Sequence, residues 1–88
     1  MKIKKGFAKR AIAGSNIVVP VGSASKTFNG MITLNESGAF FWDCLTEETT
    51  MDEVVQRVIA EYDVDAVTVR NDLEKFVALL RENDLIEE

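Results

Sequence analysis

The chain has 88 residues, 47% hydrophobic and 28% charged, with a formal net charge of −5, one cysteine and no histidine. That is room for one small domain (residues 1–88) with a single modest core, and no apolar run approaches the ~20 residues that span a bilayer. The charge is uneven: residues 1–34 hold six bases (Lys2, Lys4, Lys5, Lys9, Arg10, Lys26) and no acid, while residues 35–88 hold all 15 acids and the other four bases, a local charge of −11.

The first third reads as strands. Phe7–Ala13 runs into a turn signal, Gly14-Ser15-Asn16, beyond which Ile17–Val21 is β-branched and apolar; together they predict a hairpin. Pro20 cannot donate to a ladder, so it marks an edge, a bulge or the strand's end. Residues 22–27 are small and polar and read as a loop. Gly30–Leu34 then reads as a third strand, with Ile32 and Leu34 on one face and Met31 and Thr33 on the other. It contains neither charge nor proline, the usual devices for blunting a free edge, so it is open to another chain unless a loop or Phe28 covers it.

The remainder reads as three helices. Asn35 is a good N-cap, with Leu34 and Ala39 at the staple positions around it, and Phe41, Cys44 and Leu45 directed inward. Thr50-Met51-Asp52-Glu53 matches a capping box opening a second helix, whose Val54, Val55, Val58, Ile59 and Tyr62 recur at helical spacing. Asp65 caps a third helix with Val64 and Val69 as its staple. Its apolar stripe is Ala66, Val69, Leu73, Phe76, Val77 and Leu80, and it ends near Asn83-Asp84, before Leu85-Ile86. The expected class is α+β: a three-stranded antiparallel sheet followed by three helices.

Little here can do chemistry. Without histidine there is no Ser-His or Cys-His pair and no imidazole ligand for a metal. The glycines form neither a G-x-x-x-x-G-K nor a G-x-G-x-x-G phosphate loop. Cys44 has bulky neighbours, and Asp43 and Glu47 beside it favour the neutral thiol, so it reads as a buried structural residue. A single cysteine fits a reducing compartment, and the basic N-terminus lacks the apolar h-region of a signal peptide; the expectation is a cytoplasmic protein. No catalytic residue, cofactor or metal site is expected, and the chain must act through a surface.

The segment Gly30-Met31-Ile32-Thr33-Leu34-Asn35-Glu36-Ser37-Gly38-Ala39-Phe40-Phe41-Trp42 resembles the strand-to-helix segment of the PqqD family, the pyrroloquinoline quinone synthesis protein D and its relatives. Tyr62-Asp63-Val64-Asp65, the run Asn71–Leu80 and the closing Asn83-Asp84-Leu85-Ile86 are similar to that family's tail. The resemblance implies a winged-helix-like fold. It also implies a non-catalytic adaptor that binds the leader of a ribosomally made precursor peptide as an added strand, and presents it to a modifying enzyme, commonly a radical S-adenosylmethionine enzyme. On this chain the strand side of the groove would be Met31, Ile32, Thr33 and Leu34. On the third helix one flank of the stripe is Arg70, Glu74, Val77 and Arg81, and the other is Asp72, Phe76, Leu79 and Asn83. Either flank can border the groove, with Leu73 between them; Asp72 falls at the family's recurrent acidic position. Where the family commonly has glycine before the final apolar pair, this chain has Asn83-Asp84, and asparagine can adopt the left-handed cap conformation.

The main alternative is a winged-helix DNA-binding protein reading with residues 65–83. That helix sets Arg70, Lys75 and Arg81 against Asp65, Asp72, Glu74 and Glu82, and a net-acidic helix is poorly suited to a phosphate backbone. An uncovered edge also allows a homodimer in the absence of peptide. If the basic and acidic halves supply the two walls of one groove, a bound peptide meets bases on one side and acids on the other. Reversing the charge of Glu74 or Asp72 tests that polarity.

Overall fold

The computed structural model describes residues 1–22 and 32–88. In chain order the elements are β1 (Lys2–Ile3), β2 (Phe7–Ile12), β3 (Ser15–Pro20), β4 (Ile32–Leu34), α1 (Glu36–Cys44), α2 (Met51–Glu61), α3 (Ala66–Glu82) and β5 (Ile86–Glu87). The expected sheet of three antiparallel strands, in the order β2-β3-β4, precedes the three expected helices.

The β2–β3 hairpin is tighter than its sequence indicates. Phe7 pairs with Pro20 and Ile12 with Ser15, so the turn is Ala13-Gly14 rather than Gly14-Ser15-Asn16. Both turn residues have positive φ, 52° and 82°, the twist that a two-residue hairpin requires. Ala13 disguises this turn, because alanine seldom adopts that conformation. Pro20 is the last residue of its strand, where a missing donor does least harm. On the other side of β3, Val18 pairs with Ile32 and Asn16 with Leu34. Val18 and Leu34 are buried and Ile32 packs against the core, which makes this the helix-facing side of the sheet.

A second sheet has no counterpart in the sequence reading. β1 pairs antiparallel with β5, Ile3 opposite Ile86. Backbone bonds tie it further: the Ile3 N–H donates to the Leu45 carbonyl and the Lys4 N–H to the Leu85 carbonyl, each at 2.8 Å. The clasp buries Ile3, Leu85 and Ile86.

Each helix starts where its cap is written. The Asn35 Oδ1 accepts from the Gly38 N–H at 2.7 Å, the Thr50 hydroxyl from the Glu53 N–H at 3.2 Å, and the Asp65 carboxylate from the Thr68 N–H at 3.2 Å. The Thr50 box is half-closed, because the Glu53 carboxylate accepts from the Thr49 hydroxyl instead. At the far end of α3 the Leu85 N–H reaches the Leu80 carbonyl and the Asp84 N–H the Arg81 carbonyl, a Schellman ending. The left-handed residue is Asp84, at φ 58°, and not Asn83. Phe41, Cys44 and Leu45 are buried as expected and Trp42 joins them, whereas Ala66 lies exposed outside the α3 stripe. The Phe41 and Phe76 rings, 5.7 Å apart, lock α1 to α3.

Candidate functional site

β4 is the last strand of its sheet, and its outer edge has no strand partner among the described residues. Two residues beyond it the chain is helical, because Asn35 leaves the strand in extended conformation and caps α1 at once. The short link sets the first turn of α1 between the β4 edge and α3. Gly38 lies at the floor: a Cβ there would come within 3.1 Å of the Asn35 Oδ1 and 3.5 Å of the Phe76 ring. The result is a groove of about 420 Å³ at the strand end, lined by Thr33, Leu34, Asn35, Gly38, Phe76 and Leu79. It runs on past Ser37, Phe41, Asp72 and Lys75.

The two flanks of α3 therefore have different surroundings. The flank of Asp72, Phe76 and Leu79 borders the groove, with Lys75 beside it. On the opposite flank Glu74 is exposed, and the other three residues are engaged within the chain. Arg70 pairs with Asp52 of α2, Val77 is buried, and Arg81 clamps Glu88 through its Nε at 2.9 Å and a terminal nitrogen at 2.5 Å. This clamp raises the Arg81 pKa and holds the Glu88 carboxyl below its ordinary value, in each case chiefly through the hydrogen bond.

Of the residues singled out from sequence, the groove brings together Thr33, Leu34, Asp72, Phe76 and Leu79, and Asn83 is not among its lining. Ile32 sits at the start of β4, half-buried. Leu73 is fully buried in the core, so its side chain is not on the groove surface. Arg70, Glu74, Val77 and Arg81 belong to the other flank, and none of them lines the groove. Met31 lies outside the described residues. Sequence reasoning passed over Asn35, Gly38 and Lys75. Asn35 was already legible as a cap, and its place in the groove follows from the shortness of the β4–α1 link.

The described residues of the groove do not carry the expected two-walled charge polarity, and Lys26 lies outside them. The described strand wall, Ile32–Leu34, carries no charge at all, and the helix wall carries one acid, Asp72, and one base, Lys75. Two bases of the first third are held elsewhere: Lys4 pairs with Asp84 at 2.5 Å and Lys9 with Asp43 at 2.8 Å. These pairs stitch the basic third to the acidic remainder.

Burial pushes the Cys44 thiol up, against a smaller opposing effect of Arg57 and with a further push from Asp43, which leaves it a poor nucleophile. Among the described residues no three His, Cys, Asp or Glu side chains gather so as to hold a metal ion, and no helix is long and apolar enough to cross a membrane.

The sequence profile of coenzyme PQQ synthesis protein D (PqqD) matches residues 16–86, from β3 to β5. The chain belongs to the PqqD family. Two solved structures share the fold of this PqqD-family chain. TbiB1 in complex with the TbiA(beta) leader peptide is 28% identical, with a TM-score of 0.76 over 99% of this chain and 95% of its own. Lasso peptide synthetase B1 complexed with the leader peptide is 17% identical, with a TM-score of 0.74 over 99% and 96%. A search of curated protein sequences returned no significant match.

Proposed function

We propose that this PqqD-family chain is a non-catalytic adaptor, which binds the leader segment of a ribosomally made precursor peptide and presents it to a modifying enzyme of the radical S-adenosylmethionine type. The leader adds as a strand to the outer edge of β4 and lies against the Asp72, Phe76 and Leu79 flank of α3. The observation that carries this reading is the β4 edge, without a strand partner among the described residues, facing an apolar helix wall across the groove. An edge supplies main-chain hydrogen bonds in register, and the facing wall supplies the side-chain contacts that select a sequence. Family membership and the leader-peptide complex of TbiB1 support it. The peptide-contacting set under this proposal is Ile32, Thr33, Leu34, Asp72, Phe76 and Leu79, with Met31 preceding them on the strand. In the absence of peptide a second copy of the chain competes for the same edge.

DNA binding through α3 finds no such support. Two of its three bases, Arg70 and Arg81, are held by Asp52 and Glu88, and only Lys75 remains for a phosphate. Isotope-labelled protein titrated with synthetic leaders of short precursors encoded beside its gene tests the proposal. The expected result is backbone amide shifts concentrated at residues 32–38 and 72–79. Shifts confined to other elements, or tight binding to duplex DNA at low salt, would falsify it.

A further inference from the structure

A second apolar cleft, of about 240 Å³, opens where α1 meets the α2–α3 connection, and its apolar walls are Phe40, Phe41, Val58, Tyr62, Val64 and Val69. Phe40 and Tyr62 meet edge to face, ring centroids 5.3 Å apart and planes at 81°. Tyr62 and Val64 are still 50% and 45% exposed, so the described residues do not cover this surface. The cleft is continuous with the groove, because Ser37, Phe41 and Asp72 line both. Along α3 the shared track runs from Leu79 through Asp72 to Val69. That is about 15 Å of helix, a distance that an extended peptide covers in about five residues.

Size and charge define what fits. A cavity of about 150 Å³ accepts a benzene ring, so the cleft has room for one large side chain and not for a folded element. Glu36 and Asp72 stand among its lining residues, which include no base. Neither carboxylate is in an ion pair among the described residues.

The geometry points to this cleft as a second anchoring site for the peptide that pairs with β4, an inference that rests on the leader-binding reading above. It takes one aromatic or large aliphatic side chain, adjacent in the peptide to a Lys or Arg that meets Glu36 and Asp72, about five residues from the strand-paired segment. Main-chain pairing at β4 selects little by sequence; a filled side-chain pocket at a fixed spacing selects strongly.

Random peptides displayed on phage and selected on the full chain provide the probe. Enriched sequences are expected to share an aromatic or Leu residue beside Lys or Arg, at the stated spacing from a β-branched run. They shift backbone amides both at 32–34 and at 62–69, and they bind the Val64→Lys variant at least tenfold more weakly. Glu36→Gln weakens them about threefold, and only while the peptide keeps its basic residue. Val64 is exposed on a connection, so the variant's unchanged thermal midpoint confirms that folding is intact. Peptides that shift β4 but bind Val64→Lys as tightly as the parent overturn the anchor and leave the groove reading standing. Peptides that shift the cleft alone, or no enrichment at all, overturn the groove reading and the anchor with it.

Discussion

The two flanks of α3 carry similar residues and meet opposite fates. On one, Arg70 and Arg81 are satisfied within the chain, by Asp52 and Glu88, and Val77 is sealed in the core. On the other, Asp72 and Lys75 have no ion pair among the described residues, and Leu79 stays 38% exposed over a groove. Both bases of the first flank are spent inside the chain, and only Glu74 there lacks an ion pair among the described residues. The second flank leaves both its charges and an apolar side chain unspent, and under the proposal it is the flank kept for a ligand. The lesson is that charge counts on a helix say little until each charge is assigned a partner.

The most direct way to break the comparison is to remove what both flanks rest on. Leu73 lies between them and is completely buried, so Leu73→Ala should cost about 2–5 kcal/mol. Urea denaturation reads this as a lower midpoint with an unchanged slope. The next test separates the flanks. Leu79→Glu puts a charge in the groove at an already exposed site, and leader affinity should fall tenfold or more, at least about 1.4 kcal/mol, with little change in thermal midpoint. Arg81→Gln on the opposite flank should leave that affinity unchanged. Equal losses from the two, by fluorescence polarisation, would show that the flanks are not functionally distinct.

How far the sequence revealed this depends on the range of each interaction. The starts of α1, α2 and α3 were legible because Asn35, Thr50 and Asp65 bond to backbone donors three residues away, a purely local event. The hairpin was legible but its turn was displaced, since Ala13 at φ 52° carries none of the residue preference that normally marks such a position. The β1–β5 clasp was missed because strands of two residues from opposite ends of the chain have no periodicity to detect. The groove flank was left open for a related reason. The α3 stripe is bordered by two flanks of equal pattern, and only the packing of Phe41 on Phe76, which fixes α1 across α3, decides which one faces β4.

Asn35 couples local stability to the groove. Its side chain caps α1 and also lines the groove. Asn35→Ala should cost about 1 kcal/mol of stability and fray the first turn that carries Ser37 and Gly38. Leader affinity should then fall a few-fold, while Asn35→Asp, which keeps the capping oxygen, retains most of both. If Asn35→Ala lowers stability but leaves affinity intact, the first turn of α1 is not part of the binding surface.

The smallest effect sharpens the structural flank. Glu88 is held below the ordinary glutamate range by its hydrogen bond from Arg81, so the pair stabilises the folded chain wherever the unfolded carboxyl is ionised, above about pH 4.3. As pH falls through the lowered folded value, the carboxyl takes up its proton and the contribution is lost. Thermal midpoints of the parent and Arg81→Gln should therefore differ slightly at neutral pH and converge in acid. Glu48, lowered mainly by its hydrogen bond from the terminal amine, titrates in the same direction but is common to both proteins and cancels in the difference. Both groups of the Arg81–Glu88 pair are well exposed, so added salt should shrink the neutral-pH gap as well. A gap that persists unchanged into acid would mean that Arg81 stabilises α3 by packing its aliphatic stem, and the structural flank would owe nothing to that ion pair.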